Sequence, residues 1–353
     1  MKILVLRFSS IGDIVLTTPV VRALKQQVPG ALVHFATKPA YRGIVASNPH
    51  VDQVHCLSGP LAELVAELRA ERFDYIIDLH HNLRTRLIKL QLGVKSSSFD
   101  KLNLQKWLLV NLRIDRLPRV HIVDRYLAAA APLGVKNDGR GLDYFIPAQD
   151  EVDVAATLPP AFQRGYVAFA IGAQHATKRL PLERLIELCG ELRQPVVLLG
   201  GPEDESAGHT IELAFDQGAA PTAPPVPRLP DSPYYFPQSS PPAPQTSIYN
   251  ACGKFTLNQS ASLVRQARLV VSHDTGLMHI AAAFGKEIFS VWGNTVPEFG
   301  MYPYRSEFRV LEVRGLACRP CSKIGYEQCP QGHFRCMRDL RFDLELPPAH
   351  DGR

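Results

Sequence analysis

Residues 270–293, VVSHDTGLMHIAAAFGKEIFSVWG, read as a strand, a turn, a short helix and a second strand. The polar run His273-Asp274-Thr275-Gly276 ends the first strand. Ala281, Ala282 and Ala283 form a face small enough for a helix to lie close on a sheet, and EIFSVWG resumes a β-branched and aromatic pattern. A strand, a crossover helix and another strand make a βαβ unit, which implies parallel pairing with helices covering the sheet.

The same grammar runs outward from this stretch. In the second half, strands are expected at 167–172, 195–201, 247–253, 268–274 and 287–293, with helices at 182–192, 257–267 and 275–285. In the first half, 2–8, 31–37, 51–57 and 75–80 read as strands and 11–27 and 61–72 as helices. The expectation is an α/β protein of two Rossmann-like, doubly wound domains, 1–150 and 151–353, joined by a linker at about 146–160. Residues 218–246 are dense in Pro, Ser and Ala and read as a disordered surface insert, because such a composition buries too little surface to fold.

The length of 353 residues suits two domains, and 46% hydrophobic with 21% charged residues is an ordinary globular balance. The net charge of +5 is too small to argue for nucleic acid by itself. No uncharged apolar run is long enough for a membrane-spanning helix. Arg7 breaks the N-terminal apolar run and no small-residue cleavage site follows, so the segment reads as a first strand in a cytoplasmic protein, not a signal peptide. Seven cysteines spread through the chain do not read as a secreted disulfide framework.

Three loops follow strands and could carry chemistry. In RFSSIGD (7–13), Ser10 and Gly12 let a ligand approach the backbone at a helix N-terminus, although the loop is not a GxGxxG dinucleotide fingerprint. Asp13 either complements the helix dipole or is a general base aimed into a cleft. In the second loop, Asp274, Thr275 and Gly276 offer N–H groups and a hydroxyl to an anion, with His279 one turn further; alternatively Asp274 is a helix cap and His279 is half-buried packing. In AIGAQHATKRLP (170–181), Thr177, Lys178 and Arg179 suit a diphosphate or form an exposed basic loop.

Together the three resemble glycosyltransferase family 9, the ADP-heptose:lipopolysaccharide heptosyltransferases. The resemblance rests on the Ser-Ile-Gly-Asp loop, on Lys178-Arg179-Leu180-Pro181, and above all on Asp274-Thr275-Gly276-x-x-His279-x-Ala281-Ala282. It covers roughly residues 1–336 outside the Pro-rich stretch. It implies a GT-B fold and inverting transfer through an oxocarbenium-like transition state. Asp13 would act as base, Thr177 and Lys178 would contact the donor diphosphate, and Asp274, Thr275, Gly276 and His279 would form the donor-binding signature. The departing ADP would be stabilised by cations and a helix N-terminus, with no cofactor required. The sequence departs from the family pattern at Leu180, where the family has an aromatic, and at Gly293-Asn294-Thr295, where Gly-Pro-Thr is frequent; both positions are candidates to touch sugar or base. A different nucleotide-sugar donor, or a non-catalytic GT-B protein that binds nucleotide sugars, are the alternative readings.

On the acceptor side, Ser10, Gly12, His80 and Arg84 are candidates. Residues 80–126 hold ten Lys/Arg against three acids, and LNLQKWLLVNLRI (102–114) sets Trp107, Leu108 and Leu109 beside cations. The stretch suits a phosphorylated or lipid-linked glycan, peripheral contact with an anionic inner-membrane surface, or simply a solvated helix with one core-facing stripe. No nucleic-acid-binding motif accompanies it, so nucleic acid is not an expected partner. Finally, Cys318, Cys321, Cys329 and Cys336 could hold a structural zinc, with His333 among them, although the second pair is spaced more widely than in a zinc ribbon. Cys56, Cys189 and Cys252 lie in apolar runs and read as packing.

Overall fold

A computed structural model describes residues 1–216, 246–342 and 344. The first domain holds a five-stranded sheet of β1 (Lys2–Leu6), β2 (Leu32–Thr37), β3 (Gln53–Cys56), β4 (Tyr75–Asp78) and β5 (Ser96–Ser98), in the order β3-β2-β1-β4-β5. The second holds six strands, β6 (Val167–Ala170), β7 (Val196–Leu199), β8 (Ile248–Asn250), β9 (Leu269–His273), β10 (Glu287–Trp292) and β11 (Phe308–Glu312), in the order β11-β10-β9-β6-β7-β8. Every pairing is parallel. Ile3 through Leu6 are all fully buried, as are Val167 to Phe169. Unbroken apolar runs of this kind are what a sheet covered on both faces requires.

Each sheet reverses its winding once, between β1 and β4 in the first and between β6 and β9 in the second. At such a switch point neighbouring crossovers leave on opposite faces, and a crevice opens beyond the carboxyl ends of the strands. The loops that flank the two crevices are 7–10 and 79–82 in one domain, and 171–179 and 274–275 in the other.

The expected helix over 11–27 is two helices, Ile11–Val15 and Thr18–Gln27. Pro19 has no N–H to give to the Val15 carbonyl, and the Thr18 hydroxyl donates to that carbonyl instead at 2.8 Å. The Thr17 hydroxyl likewise satisfies Ile14 O at 2.7 Å. The stretch 146–160 is a packed crossing, not a free linker. It contains the turn Ala148–Asp150 and the helix Val154–Thr157, Val152 N–H donates to Ser262 Oγ at 3.0 Å, and Leu158 is buried. Residues 217–245, most of the Pro-rich stretch, lie outside the described residues. Cys189 and Cys252 are buried as expected, while Cys56 is only half-buried. No described helix is long and apolar enough to cross a membrane.

The domains meet where the helix Ile11–Val15 lies against the helix Gly276–Ala283. A Cβ on Gly276 would fall 2.6 Å from Ile11 Cγ2, and one on Gly12 would fall 2.6 Å from His279 Cδ2. Both glycines are therefore needed for the approach. Gly276→Ala is expected to cost about 1–3 kcal/mol through overpacking. Thermal unfolding should show a lower midpoint, and an unchanged one would contradict this seam.

Candidate active site

Asp13 lies in the first turn of the helix Ile11–Val15, at the end of the β1 loop. Its Oδ2 accepts from the Ser10 hydroxyl at 2.9 Å and the Ser10 amide at 3.3 Å, and Arg7 Nη2 stands 2.6 Å away. None of these contacts falls on Oδ1, which has no hydrogen-bond partner among the described residues. Burial opposes the Asp13 charge, but the Arg7 guanidinium and the Ser10 donors outweigh it and hold the carboxyl below its ordinary range. Arg7 is itself buried and anchored: Nη1 donates to Leu79 O at 2.5 Å and to the Tyr126 hydroxyl at 3.1 Å, and Nε donates to Ser9 O at 2.7 Å.

The other acceptor-side candidates gather around Phe8. His80 meets its ring edge-on at a centroid distance of 5.7 Å, and the Arg84 guanidinium lies 5.9 Å from its centre. Burial lowers the His80 pKa to about 4, with Arg7 adding to the effect, so this imidazole is neutral near pH 7. Ser10 orients Asp13, and Gly12 touches His279.

Across the seam, Lys178 Nζ stands 2.6 Å from Asp274 Oδ2 and also donates to Asp274 O at 3.3 Å. The Thr295 hydroxyl donates to the same carboxylate oxygen at 3.0 Å. Thr275 is the N-cap of the helix Gly276–Ala283 and makes no side-chain cap bond, so the helix N-terminus is uncapped. His279 is buried, its Nδ1 has no partner among the described residues, and burial lowers its pKa to about 4 against the pull of Asp274 and Asp13. Asn294, also buried, has neither side-chain amide atom partnered among the described residues. The structure thus brings Lys178, Asp274, Thr275, Gly276 and His279 together opposite Asp13.

Two positions differ from expectation. Thr177 is buried, and its hydroxyl is occupied by the backbone of Tyr326: it accepts from Tyr326 N–H at 2.8 Å and lies 3.2 Å from Tyr326 O. Leu180 does not face a ligand. Its side chain belongs to the apolar core of the second domain, and its amide donates to His273 Nε2 at 3.0 Å. The sequence reading also missed Arg7 as the partner of Asp13; a cation that closes an apolar strand six residues before an aspartate was the available signal.

The Cys-rich segment proves to be a buttress. Arg319 donates to Gly293 O at 2.6 Å and to Thr295 O at 2.9 Å, and pairs with Glu312 at 2.7 Å. Arg113 of the first domain donates to Pro320 O at 2.6 Å. The thiols of Cys318, Cys321, Cys329 and Cys336 lie within electrostatic reach of one another. Burial, then the neighbouring thiols, push Cys321 up to about 11; Cys336 is pushed up to about 12 by burial first and Cys321 next. Cys318 Sγ is 3.8 Å from His333 Nε2. Among the described residues, the trio whose ligand atoms all lie within 4.8 Å of one another is His34, His55 and Glu71, not the cysteines.

The model of the family described as glycosyltransferase family 9 (heptosyltransferase) matches residues 61–220 and 240–330, more than half of the chain. The chain belongs to glycosyltransferase family 9. Lipopolysaccharide heptosyltransferase 2 of Escherichia coli (strain K12) is 23% identical over 333 residues, covering 89% of this chain and 88% of that protein. The structure of E. coli ADP-heptose lps heptosyltransferase II superposes with a TM-score of 0.65 at 22% identity, covering 96% of this chain and 98% of the other. E. coli heptosyltransferase WaaC with ADP superposes with a TM-score of 0.60 at 20% identity, covering 88% and 93%. The fold is therefore GT-B, and this family 9 protein is a glycosyltransferase.

The charge arrangement around Asp13 is testable by pH. Asp13→Asn should lower turnover by about 10²–10⁴-fold while leaving nucleotide binding intact. Arg7→Gln removes the charge that depresses the Asp13 pKa, so the acid limb of the kcat/KM profile should move to higher pH. An acid limb unmoved in that variant would show that Asp13 is not the titrating base.

Proposed function

We propose that this protein transfers a heptose, with inversion, from ADP-heptose to a hydroxyl of a phosphorylated, lipid-linked glycan of the lipopolysaccharide core. The observation that carries this reading is the seam itself: one ionised carboxylate stands opposite a lysine and an uncapped helix N-terminus, each at the switch point of its own sheet. The acceptor hydroxyl would meet Asp13 at the free Oδ1. As its oxygen bonds to the anomeric carbon, the bond from that carbon to the diphosphate oxygen breaks and the hydroxyl proton passes to Asp13. The negative charge left on ADP falls to Lys178 and the N–H groups of Thr275 and Gly276. Asp274 and Thr295 hold Lys178 in place beforehand. The relative solved with ADP supports an adenine diphosphate as the donor's leaving group.

Calorimetric titration with ADP, GDP and UDP tests the donor. Selective ADP binding supports the reading, selective UDP or GDP binding moves the donor to another sugar nucleotide, and binding of none overturns it. Lys178→Ala should weaken ADP binding at least tenfold; an unchanged dissociation constant removes Lys178 from the donor site.

The anionic acceptor is supported by Lys106, which has no carboxylate partner among the described residues. Lys106 lies 5.8 Å from the centre of the Phe299 ring. Burial, then Arg125, lowers its pKa to about 8, with Lys323 and Lys101 acting in the same direction and Asp13 against it. An amine so surrounded is charged below about pH 8 and neutral above, so acceptor KM should rise above that pH. In Lys106→Arg, which stays charged, the rise should disappear; its persistence would exclude Lys106 from acceptor binding.

We also propose that Cys318, Cys321, Cys329 and Cys336 hold a structural zinc. Burial and neighbouring thiols push Cys321 and Cys336 up, and a divalent cation would convert such a four-cysteine set to thiolates and draw it together. Elemental analysis should find about one zinc per chain, as the four-cysteine set of structural sites implies. Because this segment holds Thr177 and Thr295, zinc removal should also weaken ADP binding. Metal-free protein with full ADP affinity would refute the assignment.

A further inference from the structure

The helix Leu83–Leu92 has two apolar faces. It buries Thr85 and Ile88 against its own domain, yet Leu83 and Leu90 are 73% and 79% exposed and Leu87 is exposed between them. Positions 83, 87 and 90 fall on one side of a helix, so this is a stripe, not scattered surface leucines. Beyond the next strand, the helix Asn103–Trp107 adds Leu104, 66% exposed, and Trp107, 49% exposed.

Residues 80–126 carry ten Lys/Arg against three acids. Asp78 pairs with Lys89 at 2.9 Å and Asp115 with Arg119 at 2.7 Å. Arg86, Lys95 and Arg116 are exposed and have no carboxylate partner among the described residues. Exposed leucines and a tryptophan set among unpaired arginines and lysines match an interface of acyl chains beneath anionic headgroups. A protein partner of mixed charge would leave these cations unanswered, and a second copy would bring the same positive charge against them.

We infer that this face of the first domain docks the protein on an anionic phospholipid bilayer. The helix Leu83–Leu92 follows β4, whose carboxyl end borders the Asp13 crevice, and Asn103–Trp107 follows β5, the strand next to it, so docking sets that crevice beside the headgroups. The inference rests on the proposed function only for what the bilayer delivers; the docking itself does not depend on the donor or acceptor.

Flotation with vesicles tests it, using phosphatidylglycerol mixed with phosphatidylethanolamine beside pure phosphatidylcholine. The protein has two tryptophans, and Trp292 is buried, so a blue shift on binding reports Trp107. Binding is expected to phosphatidylglycerol vesicles, with a blue shift absent in Trp107→Phe and loss of binding at high salt. The double variant Leu83→Glu/Leu90→Glu, and separately Arg86→Glu/Lys95→Glu, should lower the bound fraction at least tenfold with ADP affinity unchanged. No flotation of the wild type, equal binding to phosphatidylcholine, or full binding by both variants would overturn the inference. So would sedimentation showing a dimer that the leucine variant dissolves. Failure of ADP to bind would count against the proposed function alone.

Discussion

The close approach of Gly12 and Gly276 is the constraint on which the rest of this structure depends. Two Rossmann-like domains each present a helix N-terminus beyond the carboxyl ends of their strands, and these ends meet with no Cβ between them. The approach lets His279 rest on the backbone of Gly12, one residue from Asp13. The loop that carries Asp13 in one domain and the loops that carry Lys178 and Asp274 in the other come together only because that seam is tight.

Charge is concentrated at this seam. Arg7 and Asp13 are largely withdrawn from water, and Lys178 and Asp274 form a second pair across the seam. Buried pairs of this kind lose much of their mutual attraction to desolvation, and are poor devices for stability alone. What they provide is orientation. Arg7 fixes one oxygen of Asp13 and leaves the other open, while Thr295 and Asp274 fix the lysine. His279 and His80 contribute differently, as buried imidazoles that remain neutral and add no charge to a site already dense in cations.

The Cys-rich segment explains how the second pair is kept rigid. Arg319 clamps the carbonyls at the end of β10, Thr295 at that end orients Asp274, and the Tyr326 backbone occupies Thr177. The same segment receives a hydrogen bond from Arg113 of the other domain. A stretch with almost no secondary structure thereby supports the loops around Lys178 and Asp274 and spans the domain boundary. Its influence on the site is indirect, through the backbone it fixes.

The sequence by itself determined the βαβ alternation, the parallel class of both sheets and the three loops that gather at the seam. These are local properties: apolar runs of strand length, amphipathic periodicity, and small or polar residues where strands end. Pro19 was equally local, yet the break it causes depends on the Thr17 and Thr18 hydroxyls finding carbonyls, which periodicity does not register. Short edge strands such as Ser96–Ser98 carry no apolar pattern because an edge is only partly covered, so the first sheet's fifth strand came from tertiary pairing. Tertiary structure alone decided that Arg7 serves Asp13, that Leu180 faces the core, that Thr177 is held by Tyr326, and that the leucines of 83–90 are left outside. In each case the deciding partner lies far away in the chain, and side-chain identity does not reveal which distant group will complete its hydrogen bonds or cover its apolar surface.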